Sequence, residues 1–280
     1  MADKALVLGG GGITGVAWEI GMLAGLACEH GLDLSDADLV VGTSAGSVVG
    51  VDVRSGISLA TFYEGQTAAL SSNEVAASMG GALTLRYVLA VAFTQSPVRA
   101  RKRIGRIALK ARTEPEEVRR EVFESRMPVG EWPEGKLKLT AVDTATGEFT
   151  VFDAGSGVAL VDAVAASCAV PGIWPPVTID GKRYMDGGMR SAANADLALG
   201  YKQVVVIAPL TQGFGPIPGT SAQVKQLTAQ GARAVLIKPD PEALRAIGRN
   251  VLDPANRAAA ARAGYAQAAN EAAAVKQVWV

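Results

Sequence analysis

The stretch Leu39-Val40-Val41-Gly42-Thr43-Ser44-Ala45-Gly46 constrains this chain more than any other. An apolar run enters Gly-x-Ser-x-Gly, and small or apolar residues follow with no charge until Asp52. The pattern predicts a strand, a very tight turn at Ser44, then a helix whose N-terminus lies beneath the serine hydroxyl. The flanking glycines let backbone and substrate approach where a Cβ would clash. Ser44 is thus a candidate nucleophile, and a serine hydroxyl needs a base beside it.

The usual base is a histidine supported by a carboxylate. His30 is the sole histidine in the chain. It precedes the elbow, against the order Ser, acid, His that such sheets use. Its Glu-His-Gly context is that of a helix C-terminus, where an imidazole is favoured electrostatically. One histidine also excludes most zinc sites. A carboxylate is left as the direct base, and Asp186 is the best placed. It follows a short strand ending in Tyr184-Met185 and precedes Gly187-Gly188. The same position also suits a turn aspartate bonded to its own loop amides, and spacing alone does not separate the two readings.

Upstream, the strand Ala5–Leu8 enters Gly9-Gly10-Gly11-Gly12-Ile13-Thr14-Gly15, and apolar residues at helical spacing follow from Val16. Strand, helix and strand with short connections imply parallel pairing and a right-handed crossover. Gly10-x-Gly12-x-x-Gly15 matches the dinucleotide fingerprint, but that fingerprint needs an acidic residue at the end of the next strand. Here that strand ends in Gly42-Thr43-Ser44. The other use of such a loop is a row of N–H groups at a helix start, an anion site. Beside an elbow serine the anion is a tetrahedral oxyanion.

Residues 56–128 differ in character. Met79–Phe93 is apolar apart from Arg86 and too short for a membrane span. A basic cluster follows from Arg99 to Arg106, with Lys110 and Arg112 beyond it. Thr113-Glu114-Pro115-Glu116 reads as a helix start with Thr113 as its cap. Two readings stand side by side. One is a helical excursion with a solvated charged face. The other is a cover over the site, with basic and apolar faces that touch an anionic lipid surface. Further on, Lys136–Val142 alternates as a half-exposed strand and Glu148–Phe152 returns. Leu160–Ala169 reads as a helix, and Gln203–Ala208 as a strand buried on both faces. Ala232–Ile237 is a further strand, and an Ala-rich helix follows Pro254.

With 280 residues, 49% of them hydrophobic, one large α/β domain is expected over 1–280. Lys plus Arg and Asp plus Glu both number 27, so nothing global points to nucleic acid. Cys28 and Cys168 read as buried thiols of a reducing compartment. The N-terminal residues show no secretory pattern, so the expected location is cytoplasmic, with a peripheral membrane contact through 79–112.

Several motifs in order resemble the patatin-like phospholipase family. Gly10-Gly11-Gly12-Ile13-Thr14-Gly15 is similar to its oxyanion loop, and Gly42-Thr43-Ser44-Ala45-Gly46 to its nucleophile motif. Asp186-Gly187-Gly188 is similar to its dyad aspartate motif. Ala166-Ser167-Cys168-Ala169-Val170-Pro171 with Pro175-Pro176, and Asn194, also fit. The resemblance covers roughly residues 5–210, and Thr14 stands where the family commonly has Arg or Lys. It implies a patatin-like three-layer α/β sandwich with a mostly parallel central sheet. It implies a Ser44–Asp186 dyad, an acyl-enzyme, an oxyanion hole from the amides of Gly10, Gly11 and Gly12, and no cofactor or metal. The implied activity is phospholipase A-type hydrolysis of fatty-acyl esters of (phospho)lipids. The alternative is a non-catalytic lipid- or acyl-binding protein that retains the fold.

Overall fold

The computed structural model describes residues 3–69, 77–92 and 94–280. Phe93, the end of the apolar stretch that begins at Met79, lies outside them. Runs of Leu, Ile and Val form a parallel set of strands: β1 (Lys4–Leu8), β2 (Leu39–Gly42), β3 (Lys136–Asp143), β7 (Gln203–Ile207) and β8 (Arg233–Ile237). β4 (Phe149–Phe152), β5 (Val177–Ile179) and β6 (Lys182–Asp186) join antiparallel at one side. The helices are α1 (Gly12–His30), α2 (Ala45–Arg54), α3 (Leu59–Thr67), α4 (Gly81–Val91), α5 (Pro97–Lys110) and α6 (Glu116–Arg126), then α7 (Leu160–Ser167), α8 (Thr220–Ala229), α9 (Pro241–Ile247) and α10 (Arg257–Trp279).

Successive strand residues face opposite sides, and the core follows that period. Leu6, Leu8, Val40, Leu139, Val205 and Ile207 pack toward α1, α2, α7 and α10. Ala5, Val7, Leu39, Val41, Val204 and Val206 pack toward α8 and the short 3-10 turn Ala195–Ala198. Helices therefore cover both faces of a mostly parallel sheet.

α1 and α10 touch backbone to backbone. A Cβ on Gly21 would overlap the Ala261 carbonyl, and one on Gly264 would overlap the Trp18 carbonyl. These glycines set the spacing of the layer that carries the start of α1.

Three expectations change. β3 is exposed only at Lys136 and buried throughout from Leu139, because neighbouring strands pair along both its edges and the Asn194 side chain reaches Thr140. α6 begins at Glu116 with Pro115 in the capping position, so Thr113 is not its cap. Cys28 is exposed near the end of α1, and Cys168 is half-buried.

Gly21→Val is expected to destabilise the fold by at least about 3 kcal/mol, since overpacking here meets backbone and not a flexible side chain. Chemical denaturation checks this, with Gly31→Ala, next to open space at the α1 C-terminus, as the milder comparison.

Candidate active site

Strand pairing brings Ser44 and Asp186 together. Leu139 of β3 pairs with Gly42 on one edge and Phe152 on the other. Two residues on, Ala141 pairs with Thr150 of β4 and with Asp186 of β6. β6 therefore occupies the same edge of β3 as β2 and runs toward it. The two strands stop roughly 7 Å apart along β3. Ser44 lies two residues past the end of β2, and Asp186 is the end of β6.

The turn at Ser44 has φ 53° and ψ −116°, a conformation that L-residues rarely adopt. Close backbone contacts hold it. A Cβ on Gly42 would meet the Gly46 carbonyl, and one on Gly46 would overlap the Leu8 carbonyl. The Ser44 amide donates to Ser167 Oγ at 3.0 Å, and the Gly46 amide donates to Gly9 O at 2.9 Å. The Ser44 carbonyl accepts from Ser47 Oγ at 2.6 Å and from Cys168 Sγ at 3.2 Å. The turn is therefore fastened to both β1 and α7.

The Ser44 hydroxyl lies near enough to the Asp186 carboxylate to favour its charged form. Asp186 Oδ1 also accepts from the Gly188 amide at 2.7 Å, and the Asp186 amide donates to Ala169 O at 3.0 Å. This aspartate is thus bonded within its loop and also faces the serine. Burial pushes its pKa up to about 6, opposed by the Ser44 hydroxyl and the Gly188 amide. Cys168 is no rival nucleophile, because burial and then the Asp186 charge push its thiol up to about 12.

Asn194 ties the two strand ends together. Its Nδ2 donates to Thr43 Oγ1 at 3.0 Å, to Ser191 O at 2.9 Å, and to Thr140 Oγ1 and Gly187 O at 3.3 Å. Arg190 donates to Asn194 Oδ1 at 3.0 Å and clamps Asp196 in a bidentate pair.

The glycine loop lies beside Ser44, and a Cβ on Gly10 would stand 3.5 Å from Ser44 Cβ. Gly10 is nonetheless not an open donor. Its N–H is taken by Ala192 O at 2.7 Å, which corrects the expected three-amide hole. Among the described residues no acceptor takes the amides of Gly11, Gly12 or Ala45. Gly12 and Ala45 are first residues of their helices, where such amides have no intrahelical partner.

Two buried groups escaped the sequence reading. Glu19 is fully buried under the loop, where Oε1 accepts from the Gly9 amide at 2.9 Å and Oε2 has no partner among the described residues. Burial holds its carboxyl well above the ordinary range, favouring the neutral acid. Its signal was a lone acid inside an apolar helix, between Trp18 and Ile20. The second is Tyr87 of α4, whose hydroxyl donates to Pro171 O at 2.6 Å. Burial, and then the Asp186 charge, raise its pKa. Tyr87, Ala90 and Val91 pack with Ile104, Val142 and Met185, so α4 covers the Asp186 end of the sheet. His30 is exposed at the opposite end of α1 from the loop. Among the described residues no cluster of His, Cys, Asp and Glu could hold a metal ion.

An α/β sheet with a strained serine turn, a facing carboxylate and a glycine loop defines the class. The family profile described as Patatin-like phospholipase matches residues 6–199. The chain belongs to that family, whose members are lipid hydrolases. Among solved structures it is similar to VipD from Legionella pneumophila, at 14% identity and a TM-score of 0.48, over 99% of this chain and 67% of that one. It is also similar to the type III effector ExoU, at 15% identity and a TM-score of 0.41, over 99% of this chain and 53% of that one. A further ExoU structure, from Pseudomonas aeruginosa and in complex with SpcU, aligns at 15% identity and a TM-score of 0.39. It covers 100% of this chain and 53% of that one. A search of curated proteins found no match.

Burial of Asp186 carries a stability consequence. Its folded-state pKa lies above its ordinary value of 3.8, at about 6. Its contribution to stability is therefore complete below pH 3.8 and is lost as pH rises through about 6. That displacement is worth roughly 3 kcal/mol. Asp186→Asn is expected to be more stable than wild type at pH 8, by up to about 3 kcal/mol, with the gap closing by pH 4. Urea denaturation at the two pH values checks it.

Proposed function

We propose that this protein is a serine acyl hydrolase that cleaves fatty-acyl esters of lipids through Ser44 and Asp186. The observation that carries this reading is the strained Ser44 turn, which faces the buried Asp186 carboxylate. Asp186 takes the Ser44 proton as Oγ attacks the acyl carbonyl carbon. The oxyanion is held by the amides of Gly11 and Gly12, joined by Ala45. Collapse expels the alcohol, which takes the proton back from Asp186. Asp186 then deprotonates a water that attacks the acyl-Ser44 ester, and it returns that proton to Ser44 Oγ as the acid leaves. A base pushed up to about 6 is well matched to neutral pH, because it is ionised and still accepts a proton readily.

The same reading includes a peripheral contact with anionic membranes through α4 and α5. Leu85 and Leu89 are each 58% exposed and Val88 is 45% exposed, while Leu83, Tyr87 and Val91 face inward. A helix apolar on both sides is ordinarily buried. No Asp or Glu occurs between Glu74 and Glu114, and Arg99, Lys102, Arg106 and Lys110 line α5 beside this face. Apolar insertion flanked by cations suits an anionic lipid surface. Among the described residues no helix is long and apolar enough to cross a membrane.

Ser44→Ala is expected to lose at least about a thousandfold in ester hydrolysis and all labelling by a fluorophosphonate probe. A mutant that labels like wild type would remove Ser44 from the role. In wild type, kcat/KM should rise with pH through about 6 and level off above it, as Asp186 loses its proton. Sedimentation with phosphatidylglycerol vesicles should exceed that with phosphatidylcholine, should fall with salt, and should drop further in Leu85→Asp/Leu89→Asp. Equal sedimentation with both lipids would count against the membrane contact.

A further inference from the structure

Arg119 of α6 is a cation with no anionic partner among the described residues. Its guanidinium lies 3.9 Å from the Trp174 ring centroid and 4.7 Å from that of Phe123. Its Nε is buried without a hydrogen-bond partner. Among the described residues no carbonyl accepts from it, and no carboxylate comes within 4 Å. The neighbouring Arg120, by contrast, pairs with Asp162 at 2.7 Å and with Glu124 at 3.1 Å. The positive charge of Arg126 adds to the local field and, after burial, makes a charged Arg119 costlier. Burying a guanidinium beside a like charge with no counter-ion costs stability. Stacking on two rings holds the fork rigid but leaves its donors unused.

The location of this cation gives it a use. Trp174 lies in the turn that follows α7, where its amide donates to Val170 O at 2.9 Å. The same segment supplies Cys168 Sγ to the Ser44 carbonyl at 3.2 Å, Ala169 O to the Asp186 amide, and Pro171 O to the Tyr87 hydroxyl. The charge of Arg119 is felt at Cys168. The stacked guanidinium thus flanks the segment that frames the dyad.

We infer that Arg119, stacked on Trp174 and Phe123, binds the phosphate group of a phosphate-bearing acyl ester and selects such lipids over neutral esters. This rests on Ser44 and Asp186 acting as proposed above. A planar fork with free donors matches phosphate oxygens, and the aromatic stack orients it without supplying a competing acceptor.

The test compares a short-chain phosphatidylglycerol, below its micelle concentration, with a neutral nitrophenyl ester of the same acyl chain. In Arg119→Gln the ratio of their kcat/KM values should fall about tenfold to a hundredfold, through KM of the phosphate ester. Arg119→Lys, which keeps the charge and loses the fork, should restore part of that ratio. An unchanged ratio in Arg119→Gln overturns the inference. So does a fall in Tm with both substrates reduced alike, which would mark the stack as a structural staple. Inorganic phosphate is the second arm. Competition by millimolar phosphate in wild type, weakened in Arg119→Gln, supports a site that accepts the free ion too. Its absence beside a selective loss on the lipid supports a site that needs the lipid-borne group. Calorimetry with the short-chain phosphatidylglycerol on Ser44→Ala protein, with and without Arg119→Gln, reads binding without turnover. A wild-type protein that cleaves neither ester would defeat the hydrolase reading. Binding lost with Arg119→Gln would still support the phosphate site, and binding retained would overturn it.

Discussion

The structure depends on holding one residue in a conformation that it would not choose. The Ser44 backbone, at φ 53° and ψ −116°, costs of order 1–3 kcal/mol and persists only where the surroundings over-determine it. Here they do so from several sides. The Thr43 amide donates to Leu8 O, the Gly46 amide to Gly9 O, and the Ser44 amide to Ser167 Oγ. Thr43 is bonded through its hydroxyl to Thr140 and Asn194. These fastenings reach β1, β3, α7 and the loop after β6, so the turn is a junction for most of the sheet's C-terminal edge. A change in any of those elements is felt at the serine hydroxyl.

Several carboxyl groups of the fold are taken out of water. Asp186 is pushed up to about 6, Glu19 is held well above the ordinary range, and Asp52 of α2 is pushed up to about 7 by burial alone. A fold selected only for stability would fill such positions with apolar side chains. For Asp186 the proposed role as base gives that cost a return, since a desolvated carboxylate is a better proton acceptor. For Glu19 the return is mechanical: its Oε1 holds the Gly9 amide at the start of the glycine loop.

Much of this was legible in the sequence, and the reasons differ by element. The elbow could be read because its glycines are demanded by backbone contacts at Leu8 and Gly46, which no other residue satisfies. Asp186 could be read as a candidate because a strand end followed by two glycines exposes few alternatives. Its apposition to Ser44 came from the family resemblance and not from spacing, because it depends on β6 sharing an edge of β3 with β2. Gly10 was misjudged for a related reason. Its amide is claimed by Ala192, 182 residues away, and no local pattern reports such a partner. The alternation in Lys136–Val142 suggested a solvated face that tertiary neighbours in fact cover. Arg119 was invisible, since a cation without a partner looks like any surface arginine until its surroundings are known.

The contact between α1 and α10 bears on the life of the chain as it is made. The glycine loop opens α1, and Thr14 in its first turn donates its amide to Val251 O. Gly21 and Gly25 lie against residues 261–268. The loop and the serine turn are encoded before residue 50, yet the layer that steadies them arrives only with residues 257–279. While the ribosome is still extending the chain, the N-terminal half carries the glycine loop and the serine turn without Asp186 and without the helix that packs their layer. Reactive geometry is therefore delayed until residues 257–279 have been made, long after the loop and the serine turn.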